Sequence, residues 1–140
     1  MVPIYTTEQE LVDTFLDKLL YGEPWEASKF GIEFNYQRGK PDIIAISSVN
    51  EVIAIEAKLI KWRSALHQAY RNRCFADKSY VLLPLEIAEI ACRHEYEFER
   101  RGVGICSLLD GNITILKEAI TEKPIQPWLR QVALQFAMEA

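Results

Sequence analysis

The chain has 140 residues, 49% of them hydrophobic and 26% charged, with a formal net charge of −4. That length suits one globular domain over residues 1–140 and leaves too little for two. The acidic balance excludes a protein that coats nucleic acid by bulk attraction. No apolar run approaches the roughly 20 residues of a bilayer span and no signal-peptide pattern opens the chain, so a cytoplasmic protein with no membrane partner is expected.

The first element is a helix. TTEQELVDTFLDKLLYG puts Leu11, Val12, Phe15, Leu16, Leu19 and Leu20 on one helical face, with Thr6 or Thr7 as N-cap and Gly22 as stop. KFGIEFNYQ alternates Phe30, Ile32, Phe34 and Tyr36 with polar residues, the pattern of an outer strand. Residues 42–47 and 52–60 read as two strands of a hairpin joined by a tight turn around Asn50. The second is apolar on both faces and should be central.

After Trp62 the period becomes helical: Leu66, Ala69, Tyr70 and Cys74 form the inner stripe, while Arg63, His67 and Arg71 recur at four-residue steps on a flank. SYVLLP is a short buried strand closed by Pro84, and LEIAEIACRHEYEFERRG reads as one amphipathic helix capped by Gly102. Strands VGICSLL and ITILKEA follow, separated by a turn at DGN, and a last helix runs from about 127 to 139. Trp62 could stack on a base, but packing under the helix it opens is favoured, and Trp128 is expected in the core or at a dimer contact. Three widely spaced cysteines, Cys74, Cys92 and Cys106, indicate neither a disulfide framework nor a zinc site. The fold class is α/β, with element order α-β-β-β-α-β-α-β-β-α and a mixed central sheet flanked by helices.

One feature breaks the apolar pattern. Glu56 and Lys58, two apart on a strand, project from one face of what is otherwise a buried element, and Asp42 opens the strand paired with it. Two carboxylates a few Å apart repel until one is protonated or a cation lies between them. A hard divalent ion such as Mg²⁺ or Mn²⁺ suits carboxylate oxygens and water, and Lys58 beside it could hold a water or steady charge on an attacked phosphate. From Lys58 to Arg73 the chain carries Lys58, Lys61, Arg63, Arg71 and Arg73 and no acid, so a polyanion would be met next to this site. Lys61, Arg63, His67 and Arg71, with Arg38 and Lys40 in the loop before Asp42, are the candidate nucleic-acid contacts.

Pro41-Asp42, thirteen intervening residues, then Glu56-Ala57-Lys58 resembles the PD-(D/E)xK nuclease superfamily, the restriction-endonuclease-like fold that includes Holliday-junction resolvases. The resemblance covers the chain from the first helix to about Pro84. It implies that Asp42 and Glu56 ligate Mg²⁺, that the Ala57 carbonyl adds a ligand, and that Lys58 acts on the attacking water. It also implies an acid from the first helix that completes the metal site, matching Glu8 rather than Glu10, and the helical phase agrees, with Glu8 one turn before Leu11 and Val12. Some branches add Gln and Tyr four residues apart on the next helix; this chain has Gln68, with Asn72 where that Tyr would stand and Tyr70 in between.

The expected function is therefore an Mg²⁺-dependent nuclease acting on DNA as an endonuclease. It should recognise shape or structure, and a homodimer would provide one site for each strand. The alternative is an inactive nuclease-fold module that binds nucleic acid or a protein partner.

Overall fold

The computed structural model describes residues 5–36 and 39–139. Helix α1 (Glu8–Leu20) precedes strands β1 (Ala27–Ile32), β2 (Ile43–Ser47) and β3 (Val52–Ala57). Helix α2 (Trp62–Asn72), strand β4 (Lys78–Pro84) and helices α3 (Leu85–Cys92) and α4 (Glu95–Arg101) come next. Strands β5 (Gly104–Leu109) and β6 (Asn112–Lys117) and helix α5 (Pro127–Glu139) complete the chain. The six strands form one sheet in sequential order, antiparallel except for the β3–β4 and β4–β5 pairs. The mixed sheet flanked by helices agrees with the expected architecture.

Both faces of the sheet are covered. Leu11, Val12, Phe15 and Leu19 of α1 pack on Ile43, Ile53, Ile55, Tyr80 and Leu82. On the opposite face α5 covers Ile44, Ile46, Val52 and Ala54, and α2, α3 and α4 close over Val81, Leu83 and Ile105. Every residue of β2 and β3 is consequently buried, Glu56 included. Local chemistry fixes the ends. Thr7 and Glu10 form a reciprocal capping box at the start of α1, and Gly22 at φ +81 ends it. Asn50 at φ 64 turns the β2–β3 hairpin, and Asp110 and Gly111, both at positive φ, turn β5 into β6.

Several details depart from the pattern in the sequence. The outer strand ends at Ile32 rather than continuing to Tyr36, because Glu33 takes a left-handed φ of 55 and reverses the alternation. Phe30 therefore packs with α1, whereas Phe34 and Tyr36 lie in the core on the other face. Strand β3 stops at Ala57: the Lys58 N–H still donates to the Leu82 carbonyl at 3.2 Å, but Pro84 has no N–H to carry the β3–β4 ladder further. The single helix expected over 85–102 is two, α3 and α4, divided at Arg93 and His94. Ala88, Ala91 and Phe98 keep one helical stripe across the break, and neither Gly nor Pro marks it, so periodicity alone hides it. Trp62 is buried as expected, but its ring stacks on Phe98 of α4 rather than under the helix it opens, and Trp128 is 64% exposed on α5 and is not a core residue.

Asp77 joins three parts of this frame. Its carboxylate accepts from Val52 N at 2.8 Å and from Arg130 Nε at 3.0 Å, while Arg130 also donates to the Asn50 carbonyl at 2.7 Å. Charged hydrogen bonds in a half-buried setting contribute more than exposed ion pairs. Asp77→Ala should lower unfolding stability by about 2–3 kcal/mol in urea titration, because Val52 N–H and Arg130 both lose their partner.

Candidate active site

The β2–β3 register pairs Ile43 with Ile55 and Ile44 with Ala54, so Asp42, just before β2, stands across from Glu56. Asp42 Oδ2 accepts a hydrogen bond from the Ala57 N–H at 2.8 Å, which fixes its carboxylate against the end of β3. Glu56 is only 4% exposed. It survives there because Asn72 Nδ2 of α2 donates to its Oε1 at 3.0 Å, and the Tyr36 hydroxyl donates to Asn72 Oδ1 at 2.8 Å. Lys58 lies one residue beyond β3, its Nζ 4.0 Å from Glu8 Oε1.

The two candidate acids of α1 have separate employments. Glu10 is bound into the N-cap, accepting from Thr6 N and Thr7 N at 3.0 Å each, whereas Glu8 faces Lys58 and its charge reaches Asp42. Glu8 thus joins the cluster and Glu10 does not. Among the described residues, no three His, Cys, Asp or Glu side chains form a group that could hold a metal ion. The cluster offers two facing carboxylates, with Glu8 directed at the ammonium.

The electrostatics follow from burial. Removal from water pushes the Glu56 carboxyl up to about 8 from an ordinary 4.5; the nearby Asp42 pushes it the same way, against the Asn72 bond and the Lys58 charge. Burial also raises Asp42, opposed by the Ala57 N–H and reinforced by the charge of Glu8. Without a cation the pair keeps a proton near neutral pH.

Beside Glu56 opens a cleft of about 60 Å³ lined by Tyr36, Gly39, Lys40, Gln68, Arg71 and Asn72. Gln68, Lys40 and Arg71 are thereby brought to the carboxylate, and Lys40 also lies 3.9 Å from Glu33. Lys61 and His67 are exposed at the start and on the outer side of α2. Arg63 points elsewhere: it pairs with Glu97 of α4 at 3.0 Å and lies 4.3 Å over the Trp62 ring. Arg38 lies outside the described residues.

Solved structures share this architecture. A protein of unknown function from Silicibacter pomeroyi superposes with a TM-score of 0.68 at 18% identity, over 98% of this chain and 87% of that one. A repair endonuclease from Pyrococcus abyssi superposes with a TM-score of 0.51 at 14% identity, over 77% of this chain and 49% of the endonuclease. The fold is nuclease-like. This chain spans about half of that endonuclease. SfsA from Pyrococcus furiosus, in complex with Ca²⁺, aligns at a TM-score of 0.41 and 12% identity, over 81% of this chain and 61% of that one. No protein-family model and no curated protein matches the sequence.

Sequence reading missed two side chains of the cluster, Tyr36 and Asn72. Tyr36 was hidden by the break at Glu33, which moves it to the Glu56 face. Asn72 did carry a signal, standing four residues after Gln68 on one helical face, but it looked like a departure from a pattern rather than a partner for Glu56.

A stability prediction follows from the raised carboxyls. Between about 4.5 and about 8 the folded chain holds a Glu56 proton that the unfolded chain has lost, so cation-free stability must fall as pH rises through that window. Raised Asp42 adds a slope of the same sign. Urea titrations across the window should show the decline, and Glu56→Gln should flatten it.

Proposed function

We propose that the chain is a divalent-cation-dependent nuclease that hydrolyses phosphodiester bonds in DNA, acting as an endonuclease on substrates selected by shape. The observation that carries this reading is the opposition of Asp42 and Glu56 across the β2–β3 pair, with Lys58 at the same end of the sheet. The nuclease-like fold supports it, and the sequence resemblance falls on these same residues.

The donor set fits Mg²⁺ or Mn²⁺. It consists of oxygens only, its two carboxylates are costly to ionise together, and Mg²⁺ sites often use one or two carboxylates with water completing the shell. Asp42 and Glu56 would hold the ion, with the Ala57 carbonyl as a further donor. When bound, such an ion lowers the pKa of a water nucleophile and offsets charge on the attacked phosphate. Lys58 would hold the attacking water or stabilise the extra negative charge of the transition state, and Glu8 would keep its ammonium directed into the site. Gln68, Lys40 and Arg71 would take phosphate oxygens along the cleft. One site cuts one strand, so a homodimer would serve a duplex or a junction.

A second reading is favoured by one observation, the lack of a third acid grouped with Asp42 and Glu56 among the described residues. It holds that the fold binds DNA or a protein partner without cutting. Incubation of the chain with Mn²⁺ and a panel of plasmid, linear, single-stranded and branched DNA and RNA separates the two. Cleavage should appear on at least one DNA, vanish in Asp42→Asn, and fall by about 100-fold or more in Lys58→Ala. DNA retention in gel shifts with no cleavage, unchanged by Asp42→Asn, would establish the non-cutting binder instead.

A further inference from the structure

A buried carboxylate that must meet a cation needs one defined orientation, and the structure supplies a route to it. Tyr36, Asn72 and Glu56 are 6%, 1% and 4% exposed and come from three separate elements: the loop after β1, the end of α2 and the end of β3. An ionised Glu56 can only accept, so the amide nitrogen of Asn72 must face it. The amide oxygen then faces Tyr36, whose hydroxyl must donate. The observed bonds run in that order, 2.8 Å from the hydroxyl to Oδ1 and 3.0 Å from Nδ2 to Oε1. An unanchored Asn72 could turn its amide over and set an oxygen against the carboxylate.

The loop protects the first of these bonds. The Tyr36 N–H donates to the Gly39 carbonyl at 3.2 Å, which folds residue 39 back over the ring. A Cβ on Gly39 would lie 3.1 Å from the Tyr36 hydroxyl oxygen, close enough to displace it by a few tenths of an ångström. The glycine at this position leaves the hydroxyl its place.

We propose that Tyr36 and Asn72 are positioning residues that orient Glu56 for a cation, and that Gly39 is small so that the Tyr36 hydroxyl can reach Asn72. This rests on the nuclease reading of the same site. Outer partners of metal-binding side chains commonly change affinity by about 10–100-fold. Tyr36→Phe keeps the ring packed against Phe34 and Phe75 and removes only the hydroxyl, while Gly39→Ala crowds the hydroxyl at 3.1 Å and meets the ring's Cε1 and Cζ only at an ordinary contact distance of 3.5 Å.

The test is Mn²⁺ binding, followed by electron paramagnetic resonance of the free ion, in wild type, Tyr36→Phe and Gly39→Ala, with thermal unfolding as a check on the fold. Both variants should bind Mn²⁺ about tenfold more weakly, and their DNA cleavage should lose kcat with KM for DNA unchanged. If Tyr36→Phe does not fold, Gly39→Ala decides. Equal Mn²⁺ affinity in wild type and the folded variants overturns the relay and leaves the nuclease reading standing. A wild-type chain that binds no Mn²⁺ overturns both.

Discussion

The structure depends on two carboxylates being made to face each other. Unit charges about 4 Å apart at an effective dielectric near 20 repel by about 4 kcal/mol, and burial adds to that cost. The fold nevertheless enforces the encounter. Strand β2 begins immediately after Asp42, the Asn50 turn sets the hairpin register, and the Ala57 N–H holds the Asp42 carboxylate at the end of β3. A one-residue slip would turn Glu56 to the α1 face and expose the hairpin's alternation to the wrong core. The apolar packing of Ile43, Ile53 and Ile55 under α1, and of Ile44, Val52 and Ala54 under α5, is thus what keeps the two acids together.

Charge is organised around that pair. Lys58 lies 4.0 Å from Glu8 and its charge acts on both acids, and Lys40 and Arg71 border the cleft by Glu56, inside a chain whose net charge is −4. Not all of the basic helix borders the cleft. Arg63, which sits on the same flank as His67 and Arg71 by sequence spacing, is taken by Glu97 and stacks on Trp62. It secures α2 to α4 and so seats the helix that carries Gln68 and Asn72.

Much of this was legible in the sequence, for physical reasons. The hairpin could be read because its alternation, turn residue and two-sided apolarity all agree, and that was sufficient to pair Asp42 with Glu56 and place Lys58 beyond them. Glu8 could be separated from Glu10 only weakly, since helical phase ranks two exposed acids poorly; the capping box that absorbs Glu10 is what separates them in space. The positions of Tyr36 and of the α3–α4 break were not legible. One follows from a single left-handed residue, Glu33, which no glycine announces, and the other lies within an uninterrupted helical stripe. Asn72 was visible as a residue but not as a contact, because its partner is sixteen positions away on another element. Similarity of fold leaves these side-chain relations open, since one fold hosts many activities.

The most direct measurement is anomalous diffraction from crystals soaked in Mn²⁺. A cation held by the pair should give an anomalous peak between the Asp42 and Glu56 carboxylates, at about 2.0–2.2 Å from an oxygen of each as for small hard divalent ions. Loss of that peak in Asp42→Asn would complete the result. A fully soaked crystal with no peak there, its two carboxyls still sharing a proton, would contradict the central claim that this opposition exists to bind a cation.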